Sequence, residues 1–237
     1  MSEIGGNFNE EAIKAQAVAC YTYLKYHGTT ITGVGLRAPT TRVTNLVSEV
    51  LGEYIADDLS GRPIPVTYYA ISAGVSNPSN MVWGGYVRNL VSVDSWIDGN
   101  APGYETTLTL TADEVRSMLE SNLGASFDGI DKQNWFEIVS YTTADDLYVN
   151  RIKVGNISTT GRMMREKGLV QNSRMLLRSA AFSVEYSAAT DKFTFTVKGY
   201  GHGVGLSQYG ANLYAAQGKS YEWILKHYFS NVNIVKG

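Results

Sequence analysis

Between residues 199 and 211 the chain reads Gly-Tyr-Gly-His-Gly-Val-Gly-Leu-Ser-Gln-Tyr-Gly-Ala. Within it, His202, Ser207, Gln208 and Tyr209 gather an imidazole, two hydroxyls and an amide, a set able to exchange hydrogen bonds with a hydroxyl-rich ligand. Alternate glycines let backbone pass close to a ligand, and the stretch feeds a helix whose first N–H groups are free donors. The same spacing fits a tight strand-to-helix turn whose polar groups cap that helix, and the sequence weighs the two readings evenly.

Other motifs fall short of the chemistry they suggest. A dinucleotide loop needs Gly-x-Gly-x-x-Gly, and the third glycine position falls on Val204, Leu206 or Gln208. Gly218-Lys219-Ser220 ends like a phosphate loop, yet Leu213 stands where its first glycine belongs. Asp94, Asp98, Gly99 and Glu105 match a calcium loop in part, with Trp96 at a ligand position. Cys20 and His27 would stand about 10 Å apart along one helix, too far for a nucleophile–base hydrogen bond. Cys20 on an apolar stripe reads instead as a core residue.

The elements that must hold these groups alternate irregularly. Residues 7–28 are expected to form a helix, with Asn7 and Glu10 as a capping box and Ile13, Ala17, Cys20 and Leu24 on one buried stripe. Helix is also expected at 41–51, from Thr111 to about Ser121 behind a Thr-x-x-Glu box, at 161–168, from Ser207 to Gln217, and from Ser220 to near Phe229. Strand patterns cover 65–72, 105–110, 136–142, 147–154, 181–186 and 192–198. The absence of a β-α-β rhythm predicts an α+β fold of mixed helices and antiparallel strands. One domain over 1–237 is expected, with the segment around 104–160 a candidate inserted subdomain.

A net charge of −2 over 237 residues supplies no basic field for nucleic acid, and none is expected as a partner. The single cysteine excludes an internal disulfide and a cysteine-rich zinc site. No run of about 18 apolar residues spans a membrane, and Met1-Ser2-Glu3 does not open a signal peptide.

Several stretches together resemble the stage II sporulation protein D and amidase enhancer family. The loop at Gly201–Ala211 is similar to the family's GHGVGMSQYGA, with Leu206 in the methionine place. Glu3-Ile4-Gly5 through Glu11 to Tyr23 resembles its Glu-Met-Pro…Glu-Ala-Leu-Lys-Ala-Gln-Ala-Val-Ala segment. Pieces at 61–73, 82–84, 86–98, 161–162, Leu176-Leu177-Arg178-Ser179 and 221–229 follow in the family's order.

The resemblance implies a glycan-binding cleft and action on peptidoglycan outside the cell. It implies a lytic transglycosylase that cuts between N-acetylmuramic acid and N-acetylglucosamine, or an enhancer of a cell-wall amidase that binds glycan without cutting it. It puts the catalytic acid on Glu3, which would protonate the glycosidic oxygen and then take the proton of the muramic acid 6-hydroxyl. Such an acid must be held above its usual pKa by an apolar or anionic setting. It makes Lys14, His202, Ser207, Gln208 and Tyr209 substrate contacts, and Tyr68 and Tyr69, with Trp83 and Tyr86, candidate stacking platforms. Lys14 and Gln16 lie about 200° apart on a helix, and Lys14 is taken as the one facing the cleft. Tyr21 replaces the family's arginine, and 72–77 matches its Ser-x-Gly-Gly-x-Thr run loosely. No Cys or His lies between 60 and 100, so no zinc or other cofactor is expected. Relatives carry a membrane anchor and a strand before the glutamate, so this chain is expected to be part of a longer, anchored extracytoplasmic protein.

Overall fold

The computed structural model describes residues 4, 7–28 and 38–237. Glu3 lies outside the described residues. The order begins α1 (Glu10–His27), α2 (Thr41–Glu49), β1 (Glu53–Asp57), β2 (Tyr68–Tyr69) and α3 (Ser79–Trp83). It continues β3 (Glu105–Thr111), α4 (Ala112–Leu123), β4 (Phe136–Tyr141), β5 (Val149–Val154), β6 (Ile157–Thr159) and α5 (Gly161–Met163). It ends β7 (Val170–Gln171), β8 (Arg174–Met175), β9 (Ala181–Ser187), β10 (Lys192–Lys198), β11 (Leu206–Ser207), α6 (Gln208–Ala216), α7 (Tyr221–Tyr228) and β12 (Val232–Lys236). The class is α+β, as expected. The pairings β1–β12, β3–β10–β9, β4–β5–β6 and β7–β8 are antiparallel, and the two-residue pair β2–β11 is parallel.

Two apolar clusters account for most of the core. In the first, α1 is the central rod. Ala12, Ile13, Ala15, Gln16, Ala17, Val18 and Ala19 are all buried, because α1 is packed by α2, α6, α7 and β1 together. This departs from the single stripe expected: Cys20 and Leu24 are only half-buried, and alanines on the other faces let neighbouring elements come close. The buried polar residue Thr22 is satisfied, its hydroxyl donating to the Val18 carbonyl and accepting from the Ile55 N–H. The expected Asn7 capping box does not form. The N-cap is Asn9, whose backbone and side-chain amides turn instead to Asn212 of α6.

The second cluster is built on the β3–β10–β9 sheet. Phe193, Phe195 and Val197 alternate with threonine and lysine along β10 and bury one face against α4 and the β4–β5–β6 sheet. Its members run from Ala112 to Val197, well past residue 160. The Thr111–Glu114 capping box at the start of α4 is present as read from the sequence. Tyr148 belongs with Ala73 and Ala181 to a third, smaller cluster, where its hydroxyl accepts from the Ala73 N–H at 2.9 Å and donates to the Val75 carbonyl at 3.1 Å. Among the described residues, no helix is long and apolar enough to cross a membrane.

Candidate functional site

The glycine-rich loop runs from the end of β10 into β11 and α6. Gly199, Gly201, Gly203 and Gly205 all have positive φ, between +74° and +119°. A Cβ on them would meet the Ile71 carbonyl oxygen at 2.7 Å, the Tyr69 Cβ at 2.6 Å, the Tyr148 ring at 2.9 Å and the Thr67 carbonyl oxygen at 2.3 Å. The glycines therefore serve self-packing. They let the loop lie against segment 67–73, with backbone hydrogen bonds between Tyr200 and Ile71, from Leu206 to Thr67, and from Tyr209 to Ala70. Of the two readings left open by the spacing, the tight turn accounts for the glycines.

Successive side chains of that loop line different cavities. Tyr200 faces an open cleft of about 410 Å³ lined also by Ile4, Phe8, Pro102, Arg178, Gln208 and Tyr209. His202 faces a smaller cavity of about 230 Å³, shared with Asn77, Thr142, Arg162, Arg165 and Glu166.

The motif residues divide between these places. Gln208 and Tyr209, on the first turn of α6, reach the larger cleft; Gln208 donates to Gln16 at 3.4 Å, and Tyr209 packs edge-on against Phe8. Ser207 has no exposed surface. Its hydroxyl is the N-cap of α6, accepting from the Gly210 N–H, and it donates to Asp98 at 2.9 Å. Asp98 is fully buried and also receives the Ser95 hydroxyl and the Ser72 N–H. Burial raises its carboxyl above the usual range, and these hydrogen bonds oppose the rise.

His202 is held between the rings of Tyr69 and Trp83, at 5.5 and 5.2 Å. Its Nδ1 accepts from the Val204 N–H. Burial, with Arg165 nearby, pushes its pKa down to about 4, against a hydrogen bond to the Tyr68 backbone. A neutral imidazole in that setting is a packing and hydrogen-bonding group. Tyr69 is buried, and Tyr68 is half-buried against the first cluster, with its hydroxyl 3.8 Å from the Cys20 sulfur.

Lys14 points away from Gln208. Its ammonium pairs with Glu49 at 2.7 Å and Glu11 at 3.0 Å, which raise its pKa. Gln16 is the residue of that helix turned toward the loop, the reverse of the choice made from the sequence. Trp83 and Tyr86 are exposed, Trp83 beside His202.

Two residues of the cleft were not singled out as site residues from the sequence, although both lie in quoted segments: Tyr200 and Arg178. Tyr200 is 47% exposed, and the Arg178 guanidinium stands 5.3 Å from its ring centroid. Among the described residues lining this cleft there is no carboxylate.

The fold and site define an α+β protein whose open cleft is walled by aromatic rings, an amide and one arginine. Among curated proteins, it is 33% identical to a stage II sporulation protein D of Bacillus amyloliquefaciens over 193 residues, 81% of this chain and 51% of that protein. It is 28% identical to the Bacillus subtilis stage II sporulation protein D over 98% of this chain and 71% of that one. It is 25% identical to the Bacillus subtilis amidase enhancer over 98% of this chain and 39% of that one. The chain thus spans about half the length of the first of these relatives. No family model matches it. These similarities support the resemblance to the stage II sporulation protein D and amidase enhancer family.

Proposed function

We propose that this chain is a peptidoglycan lytic transglycosylase that cleaves peptide-stripped glycan strands with Glu3 as its one acid–base group. The observation that carries the reading is the large cleft. Ile4, the covalent neighbour of Glu3, lines it together with Arg178, Tyr200, Gln208 and Tyr209. Rings that can stack on sugar faces and amides that can bond hydroxyls suit a glycan. The absence of a carboxylate among the described lining residues suits a reaction that needs one carboxyl group rather than the pair used by hydrolases. Asp98 is sealed beneath α6 and committed to serine partners, so it does not supply a second.

In the reaction the Glu3 carboxyl gives its proton to the oxygen leaving muramic acid C1, and the C1–O bond breaks. The muramic acid 6-hydroxyl then bonds to C1, and its proton passes to the Glu3 carboxylate. Glu3 is restored and no water is consumed, so the product ends in a 1,6-anhydro ring. Gln208 and Tyr209 hold sugar hydroxyls; Tyr200 stacks. The whole protein would act outside the cytoplasm. Its partners would be glycan strands and a cell-wall amidase that strips their peptides.

Mass spectrometry of peptide-free strands incubated with the protein tests this. Anhydro-muramyl ends, one water lighter than hydrolysis products, are expected from the wild type and none from Glu3→Gln. The relative named amidase enhancer, aligned over 98% of this chain, favours a second reading, a glycan-binding module without chemistry. Tight binding by the wild type with no anhydro product would decide for it.

A further inference from the structure

Arg178 belongs to a segment, Leu176-Leu177-Arg178-Ser179, that the proposed chemistry leaves without a role. Its backbone is fixed from several sides. Leu177 and Ser179 on either side are buried. The Arg178 carbonyl accepts the Gly201 N–H at 3.0 Å and the Arg165 Nε–H at 2.9 Å. The Ser179 hydroxyl donates to the Lys198 carbonyl and accepts from the Ala181 N–H. The side chain is directed as well. Its guanidinium lies over the Tyr200 ring, and a Cβ on Gly103 (φ +74°) would come within 3.1 Å of its Nη1. Arg42, Arg88, Arg116, Arg162 and Arg165 each have a carboxylate oxygen within 4 Å. No ion pair among the described residues involves Arg62, Arg151, Arg174 or Arg178; of these four, Arg178 lines the cleft, whose described walls carry no acid.

A planar five-donor cation, aimed into a sugar-sized cleft and parked on an aromatic face, is built to receive a carboxylate in a two-point contact. We infer that Arg178 is a specificity residue that binds a free carboxylate carried by a sugar ring of the substrate. This rests on the proposed glycan-cleaving reading. In a peptide-bearing strand the lactyl carboxyl of muramic acid is an amide, uncharged and bulky. In a stripped strand it is a carboxylate. Arg178 would thereby sense the removal of the peptide, and Tyr200 would hold the guanidinium ready at little cost in side-chain entropy.

The test is binding by calorimetry, with cutting followed in parallel. The probes are peptide-free glycan strands and the same strands with their lactyl carboxylates converted to primary amides. The wild type should bind the carboxylate form about 10- to 100-fold more tightly. Arg178→Gln should lose most of that preference while its affinity for the amidated strands stays within about twofold. Arg178→Lys should fall between them, since the charge remains and the fork is lost. Unchanged melting temperatures, expected for an exposed side chain, exclude a folding defect. Equal wild-type affinity for the two strand forms, or equal loss on both in Arg178→Gln, overturns the inference. These results do not depend on cutting. Anhydro products with charge-blind binding overturn the inference alone. Charge-dependent binding without products overturns the transglycosylase reading alone.

Discussion

His202 stands at the centre of the most recognisable stretch of the sequence, yet it is wedged between Tyr69 and Trp83 with Nδ1 committed to the backbone of Val204. Its consequence is for stability. Its pKa is about 4 in the fold, against a usual value near 6.5, so the unfolded chain binds the proton more readily between these values. Stability is complete above pH 6.5 and is lost as pH falls toward 4, by up to about 3 kcal/mol. Urea unfolding across that window should show the slope. His202→Asn, which keeps an acceptor for Val204, should flatten it while leaving the remainder due to His227, lowered in the same direction. Lys14 shows the limit of reading side chains from spacing. The helical wheel placed Lys14 and Gln16 on different faces correctly. Which face met the loop depended on Glu49 and Gln208, residues far along the chain. Tyr200 and Arg178 were missed for the same reason: nothing local marks an arginine that lacks a partner.

Elements governed by near neighbours were legible. The box at Thr111–Glu114 and the Ser220 cap of α7, each a contact within three residues, both form where sequence put them, whereas Asn7 and Glu10, equally close, form no box because Asn9 is the N-cap of α1 and binds Asn212. β1 and β12 were not, because Glu53–Asp57 finds its hydrogen bonds in Val232–Lys236, at the other end of the chain. The segment expected as a strand over 65–72 pairs only at Tyr68–Tyr69, where β11 runs beside it in parallel, and at Ile71, in a single antiparallel bridge to Tyr200. That contact depends on the glycine loop. Gly205→Ala would place a methyl 2.3 Å from the Thr67 oxygen on a backbone with φ +83°. It should destabilise the protein by roughly 2–4 kcal/mol, through strain at a left-handed position and displacement of β2. Denaturant midpoints would read this, and a change below about 0.5 kcal/mol would mean that the loop adapts.

Besides the two large apolar clusters the molecule has a small third one, where Tyr148, packed with Ala73 and Ala181, sends its hydroxyl between the backbones of Ala73 and Val75. Removing that oxygen leaves a buried N–H and a buried carbonyl short of a partner. Tyr148→Phe should therefore cost about 1–3 kcal/mol in urea unfolding. The alternation of β10 was visible, but not that its core would extend to α4 and the strands from Phe136 to Thr159.

The glycine loop also bears on how such chains are recognised. Each glycine at 199, 201, 203 and 205 is required by a contact inside the protein, whether or not a substrate ever arrives. A sequence signature made of those positions therefore certifies a scaffold. A descendant that lost its acid but kept its fold would retain the signature unchanged. On the proposed reading, whether a chain that shares it cuts or only binds is told by the acid at the Glu3 position and the cleft residues around it, not by the glycines.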